Sequence, residues 1–283
     1  MTVTAAIEAD LQRIGTLPDA AIDLAETALA LAALDRPETG RHGYQAHLAA
    51  IADSMRLAAI LPDLAEPGQT GLAARCRVLA DVMTGEFAYR GDRINYDDLQ
   101  NADLMRVIDR RQGLPVALAI LYIHAARSQG WTIEGVNFPG HFVIRLFHDG
   151  KAAILDPFDG GRVLETGDLR QRLKSVIGDE AELQPSHYAA IGNRETLLRL
   201  VNNIKVRLIQ DGDLPRAATM VERMLMIAPE TVALWRESGL IHSRIGNLMT
   251  ARKAFNRFLE LSDNETQRHQ VARLLQELMQ RLQ

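Results

Sequence analysis

A single cysteine, Cys76, stands among 283 residues, so no disulfide can form within the chain, and a reducing compartment suits it. Charge of one sign is equally scarce. With 32 Lys and Arg against 36 Asp and Glu the formal net charge is -4, which supplies no basic field of the kind that tracks a phosphate backbone. Nucleic acid is therefore not expected as a partner. No uninterrupted apolar run approaches the roughly 20 residues needed to cross a bilayer, so no membrane partner is expected. The first residues, MTVTAAIEADLQRI, carry Glu8 and Asp10 early and lack a cationic region followed by an apolar block, so no secretory signal is expected. These absences lead to the expectation of a cytoplasmic globular protein, and 47% hydrophobic residues can furnish more than one core.

What is there changes character along the chain. Residues 3 to 84 read as helical: AIDLAETALALAAL places Leu24, Ala28, Leu31 and Ala32 on one face, and a helix from about Leu72 to Met83 ends near Gly85. DRPETGRHG and LAEPGQTG read as loops between them. FAYRGDRINYDD, rich in turn formers and aromatics, reads as a loop, after which Asn101 is placed to cap a helix running to Arg111. Another helix follows Gly113, with Pro115 at its start.

Beyond that helix the apolar period falls from helical to alternating in WTIEGVNF, HFVIRLF and KAAILD, which predicts a small antiparallel sheet. A symmetric turn at Asp149 and Gly150 pairs Phe147 with Ala152, Arg145 with Ile154 and Val143 with Asp156. His141, two residues before Val143, then shares a face with Asp156 at the diagonal separation of about 7 to 8 Å that long side chains bridge.

From Thr196 onward the chain is helical again and repeats with a period of 34: Gly212, Ala217 and Pro229 recur as Gly246, Ala251 and Asp263. Trp235, Gly239, Ala251 and Phe255 follow much of the tetratricopeptide pattern, which predicts two repeats closed by a helix from about Glu265 to Leu282. The predicted class is α+β, with residues 1–85 as the N-terminal helical part of a core, 86–190 as its sheet-bearing part and 191–283 as an all-α repeat region.

A thiol hydrolase or acyl transferase needs a cysteine at a helix N-terminus, a histidine to carry the proton and a carboxylate to orient the histidine. His141 and Asp156 are candidates for the last two roles. The order of a helix opening after Gly113, His141 at the start of a strand and Asp156 at the end of the next resembles the transglutaminase-like core, a papain-related fold. That resemblance puts the family's nucleophilic cysteine at Pro115. FAYRGD, NADLMRVIDRRQGLPVAL, GVNFPGHFVIRL and ILDPFDGGR, followed by helical repeats, are similar to the bacterial SirB-type family, which joins a transglutaminase-like core to tetratricopeptide repeats. The resemblance spans residues 20 to 275 and implies an architecture more than an activity. It also implies a ligand cleft near Asn95, Asn101, Pro115 and His141, with Arg106, Arg110 and Arg111 at its rim or on an exposed face beside Asp103 and Asp109.

Each feature carries a plainer alternative. Pro115 suits the first turn of any helix, because the N–H it lacks would have no intrahelical partner there. His141 and Asp156 also fit a structural pair that ties two strands. Cys76 is the one candidate for a relocated nucleophile, but Leu72, Leu79, Ala80 and Met83 surround it at core spacing. His42, His47, His124, His187 and His242 show no metal-ligand spacing, and a cation at His141 and Asp156 would need a third ligand from Asn95 to Asp98, so neither metal nor cofactor is expected. DGGR and EPGQTG lack the strand, loop and lysine of a phosphate loop. In the repeats, Arg199, Asn202, Asn203 and Arg236 are candidates to grip a peptide, or else are simply solvated.

Three functions follow from these readings. The first is a non-catalytic protein-interaction or regulatory module with a protein or peptide partner. The second is a hydrolase or protease-like enzyme that moved its nucleophile or activates water with His141, and the third is a structural scaffold. The oligomeric state is left open.

Overall fold

The computed structural model describes residues 2–60 and 71–281, so most of the expected LAEPGQTG loop, and Leu282, lie outside the described residues. In chain order α1 (Val3–Gly15), α2 (Leu24–Ala33), α3 (His42–Ile60) and α4 (Leu72–Ala80) come first. A π-helical stretch, Asp81–Glu86, continues α4 and leads to β1 (Arg90–Gly91). Next come α5 (Leu104–Arg110), β2 (Gln112–Gly113), α6 (Pro115–Arg127), β3 (Ile133–Val136), β4 (Val143–His148), β5 (Lys151–Asp156) and β6 (Arg162–Leu164). After α7 (Thr166–Ile177) and β7 (Ala190–Ile191) the chain is helical: α8 (Asn193–Gln210), α9 (Leu214–Ile227), α10 (Val232–Arg244), α11 (Leu248–Leu261) and α12 (Glu265–Arg281).

Two compact units emerge. One is Pro18–Leu200; the other joins Met1–Leu17 to Val201–Gln283. This departs from the expected division. α1 groups with the repeats because Ile7, Leu11 and Ile14 form a buried face, α1 packs on α9, and Gly15 sits against the backbone of Met226 where no side chain would fit. The later boundary falls inside α8, so no change of composition marks it.

In the first unit α6 is the pivot. From Pro115 to Ala126 all of its residues except His124 are buried, as expected of a helix that is apolar all round. α2 is likewise enclosed, with Glu26 alone not buried, rather than showing the single apolar face its spacing suggests. The antiparallel sheet runs β6-β5-β4-β3-β7. Its central hairpin turns on Asp149 (φ 47°) and Gly150 (φ 73°), a pair of left-handed residues whose twist suits a two-residue turn. The register pairs Arg145 with Ile154 and Phe147 with Ala152, as the symmetric turn requires. α7 closes one face through Leu169 and Leu173, packed with Val136, Phe138, Val143 and Leu164.

Local expectations fail at two places. Asn101 does not cap a helix: it lies in a 3-10 turn, Leu99–Ala102, and the side chain of Asp103 caps α5 by accepting from the Arg106 N–H. α5 then stops at Arg111, which takes a left-handed φ of 58°. His141 precedes β4 instead of starting it, because Gly140 at φ 69° turns the chain there.

In the second unit, Gly212 (φ 78°) and Gly246 (φ 82°) make equivalent turns ahead of α9 and α11, giving the period of 34 a conformational basis. Gly239 of α10 lies flat against the ring of Phe255, and Ala251, Phe255, Phe258, Val271 and Leu278 form the core that α12 completes.

Candidate functional site

The start of α6 is built from short backbone pairings. β1 and β2 run parallel, setting Gly91 beside Gly113; the Asp92 N–H donates to the Gly113 carbonyl at 3.3 Å, and the Leu114 N–H to the Asn101 carbonyl at 2.8 Å. A Cβ on Gly113 would meet Val107 Cγ2 at 2.8 Å, so glycine is required by close packing. Leu114 provides no side-chain cap, and Pro115 occupies the first turn, where its missing N–H costs nothing. Gly113, Leu114, Pro115 and Val116 offer neither thiol nor hydroxyl.

His141 and Asp156 meet where β4 and β5 leave the hairpin. His141 Nε2 lies 2.8 Å from Asp156 Oδ1, with the imidazole 7% exposed and the carboxylate wholly buried. Asp156 Oδ1 also accepts from the Phe158 N–H at 3.0 Å, while Oδ2 accepts from Arg172 Nη2 at 2.9 Å. Burial would raise the carboxyl pKa, but the hydrogen bond and charge of His141, the Arg172 guanidinium and the Phe158 N–H outweigh it and hold the group below the usual carboxylate range. With Nε2 committed to Asp156, His141 Nδ1 bonds no described residue. That arrangement orients an imidazole and leaves one nitrogen free to accept or deliver a proton.

Phe158 links this pair to the helix start. Its ring meets His141 edge-on at 6.0 Å between centroids, and a Cβ on Gly91 would reach the ring at 2.5 Å. Tyr96 also meets it edge-on, at 5.7 Å between centroids, and Arg93 Cζ lies 5.4 Å from the ring centroid. Sequence reasoning missed Arg172, Phe158 and Tyr122. Tyr122 of α6 carries a buried hydroxyl without a hydrogen-bond partner among the described residues, its pKa pushed up by burial and then by the charge of Asp156. Arg172 had no local signal, because an arginine on an amphipathic helix reads as solvated; Phe158 was within reach as the residue after Asp-Pro.

The remaining candidates divide. Asn95 is exposed in the loop over Gly113, but Asn101 is wholly buried, its Nδ2 donating to the Asn95 carbonyl at 2.7 Å and its Oδ1 accepting from Arg110 Nη1 at 3.0 Å. Arg110 also binds Asp92, whose carboxylate caps Ile94 and Asn95, so both residues brace the 92–96 loop. Arg111 joins His47 Nε2 (2.6 Å) and the Tyr89 hydroxyl (2.7 Å); burial first, and the Arg111 charge second, lower the His47 pKa to about 4. Arg106 is exposed. Cys76 is buried in α4 and its thiol is pushed up to about 11 by burial, while it lines a cavity of about 450 Å³ with His148, Lys151 and Val163. His124 faces the Leu48 carbonyl at 3.1 Å, and among the described residues no three His, Cys, Asp or Glu side chains are grouped to hold a metal ion.

In the repeat unit Asn202, Asn203 and Arg236 are half-buried, and the Asn203 side chain accepts from Arg207 at 3.3 Å. Arg199 belongs to the other unit. A cavity of about 830 Å³ lies instead beside Leu225, Met226, Pro229 and Trp235, bordered by Gln12 and Arg257, and none of the four candidates lines it. No helix among the described residues is long and apolar enough to cross a membrane.

Residues 42–202 match the model described as the transglutaminase-like superfamily, and residues 204–276 match one described as a tetratricopeptide repeat. The chain is 33% identical over 184 residues to a protein named UPF0162 of Xylella fastidiosa (strain 9a5c), covering 62% of this chain and 64% of that one, less than two thirds of the relative's length. A UPF0162 protein of Vibrio cholerae serotype O1 is 26% identical over 246 residues, covering 87% and 88%. F-box only protein 21 of Mus musculus is 29% identical over 127 residues, 44% of this chain and 20% of that protein.

Proposed function

This chain belongs to the transglutaminase-like superfamily, and on that premise we propose that it is a non-catalytic interaction module that holds a protein partner at the face around His141. The single observation that carries this reading is the opening of α6. Proline fills the first helical position, no nucleophilic side chain stands from Gly113 to Val116, and yet the imidazole and carboxylate are in place and hydrogen-bonded. Covalent acyl transfer without its nucleophile normally loses several orders of magnitude in rate. Cys76 offers no substitute, since a buried thiol with a raised pKa is a poor nucleophile. The Gly-Leu-Pro, Pro-Gly-His-Phe and Leu-Asp-Pro segments support a SirB-type member, and the repeats supply a second docking surface. A similar stretch makes up one fifth of F-box only protein 21, consistent with a module carried in different architectures.

A second reading has its own support. Asp156 orients His141 and leaves Nδ1 open, the arrangement of a general base that could activate water. One experiment separates the two: the purified protein is assayed against ester, amide and isopeptide substrates beside His141→Ala and Cys76→Ala. No turnover above background in any of the three is expected. Turnover lost in His141→Ala, with an unchanged circular dichroism spectrum, would establish the water-activating enzyme instead.

A further inference from the structure

The repeat unit holds a cavity of about 830 Å³, within the range of about 300 to 1,000 Å³ in which small-molecule sites fall. Every residue that lines it belongs to the one compact unit of Met1–Leu17 and Val201–Gln283. Leu225 and Met226 of α9, Pro229 in the turn that follows and Trp235 of α10 give it an apolar wall. That wall is fixed in place. Trp235 Nε1 donates to the Pro229 carbonyl at 2.7 Å, which sets the indole, and Gly15 of α1 sits so close to Met226 that a Cβ there would collide with the Met226 carbonyl.

Two polar groups in the cavity stand unmatched. Ser238 is 3% exposed and lines the cavity, yet its hydroxyl bonds no described residue, whereas a buried hydroxyl ordinarily has a partner. The second is a charge. Arg257 donates to Glu260 at 3.0 Å and to Glu230 at 3.3 Å, and Glu222 Oε1 lies 3.1 Å from Nε2 of the buried His242. Lys253 of α11 is the exception among the charged lining residues, with no carboxylate in ion-pair contact among the described residues. Its flexible four-carbon stem lets the ammonium follow an anion along the wall.

These features select among ligands. A cation would meet Lys253 and Arg257 as like charges, and a wholly apolar molecule would cover the Ser238 hydroxyl and leave it without water or partner. An apolar body that ends in a carboxylate suits the wall, the hydroxyl and the ammonium together.

We infer that this cavity binds a free apolar monocarboxylate of the medium-chain fatty acid kind, its carboxylate accepting from the Ser238 hydroxyl and pairing with Lys253 while its chain lies against Trp235, Leu225 and Met226. The site lies in the repeat unit and is independent of the reading of the face around His141.

Isothermal titration calorimetry of the full chain with decanoate, 1-decanol and decylammonium, each below its micellar or solubility limit, tests the inference. Decanoate is expected to bind saturably, one molecule per chain, at least tenfold more tightly than the alcohol or the amine. Lys253→Met, at an exposed position, should weaken decanoate about tenfold and abolish its advantage over decanol. Ser238→Ala should weaken decanoate at least fivefold with a melting temperature equal to or above the parent's, because removing an unpartnered hydroxyl breaks no bond within the protein. Equal binding of acid and alcohol, no saturable binding of decanoate, or full decanoate affinity in either variant would overturn the inference. Tighter binding of the peptide Gly-Ser-Gly-Ser-Gly-Leu as its free acid than of decanoate would also overturn it, because the carboxylate would then come from a polypeptide.

Discussion

Asp156 holds His141 through Nε2 at 2.8 Å while its second oxygen is held by Arg172 at 2.9 Å, so a single buried carboxylate fixes an imidazole from the strand entry and a guanidinium from α7. The three groups form one unit, and removing the carboxylate leaves two donors with no acceptor between them.

Asp156→Ala should therefore destabilise the core unit by about 3–5 kcal/mol, the cost of breaking a buried ion pair from one side. His141→Ala should cost less, about 1–3 kcal/mol, because Asp156 keeps Arg172 and the Phe158 N–H. Urea unfolding of both single variants and the double variant measures the coupling. Strictly additive losses would show that the pair is not coupled.

Acid should weaken the fold in two steps. The folded protein keeps His47 neutral down to a pKa of about 4, against 6.5 for the free side chain, so between those values the unfolded chain binds the extra proton. Stability from this site is full above about pH 6.5 and is lost as pH falls toward 4; with His47 half-buried, the loss is about 1–2 kcal/mol after solvent screening. Asp156, held below its ordinary range, adds a second loss only when pH falls beneath the usual carboxylate values. Melting temperature against pH should show the first step in the parent and a flattened one in His47→Gln. An equal slope in both would assign the first step elsewhere.

Cys76 should react with iodoacetamide only as fast as the protein opens, since its thiol is buried and its pKa stands near 11. Alkylation followed by mass spectrometry at pH 8 should be slow in the native state and complete in urea. Rapid native labelling would restore it as a candidate nucleophile.

Gly239→Ala should destabilise the repeat unit by about 1–3 kcal/mol through overpacking, because the added methyl meets the Phe255 ring inside a core closed by α11 and α12. Limited proteolysis and thermal melting read the effect. A variant as stable as the parent would mean that the ring shifts freely.

The sequence by itself determined what depends on neighbours along the chain. Left-handed Asp149 and Gly150 set a two-residue turn, and that turn with a period of two residues placed His141 near Asp156, sixteen residues of text that carry their own register. The period of 34 and its glycines likewise announced the repeats before any contact was seen. Tertiary structure alone decided the rest. Nothing local tells that α1 joins the repeats, that Asp19 caps Asn193 across 174 residues, or that Arg172 reaches Asp156 from a helix whose pattern reads as solvated. Asn101 was misread for the same reason, since a cap and a buried brace call for the same amide, and only the arrival of Arg110 and the Asn95 carbonyl selects between them. Turn and period are fixed by steric limits on a few adjacent residues, whereas partners brought together by packing depend on how whole elements bury their apolar faces.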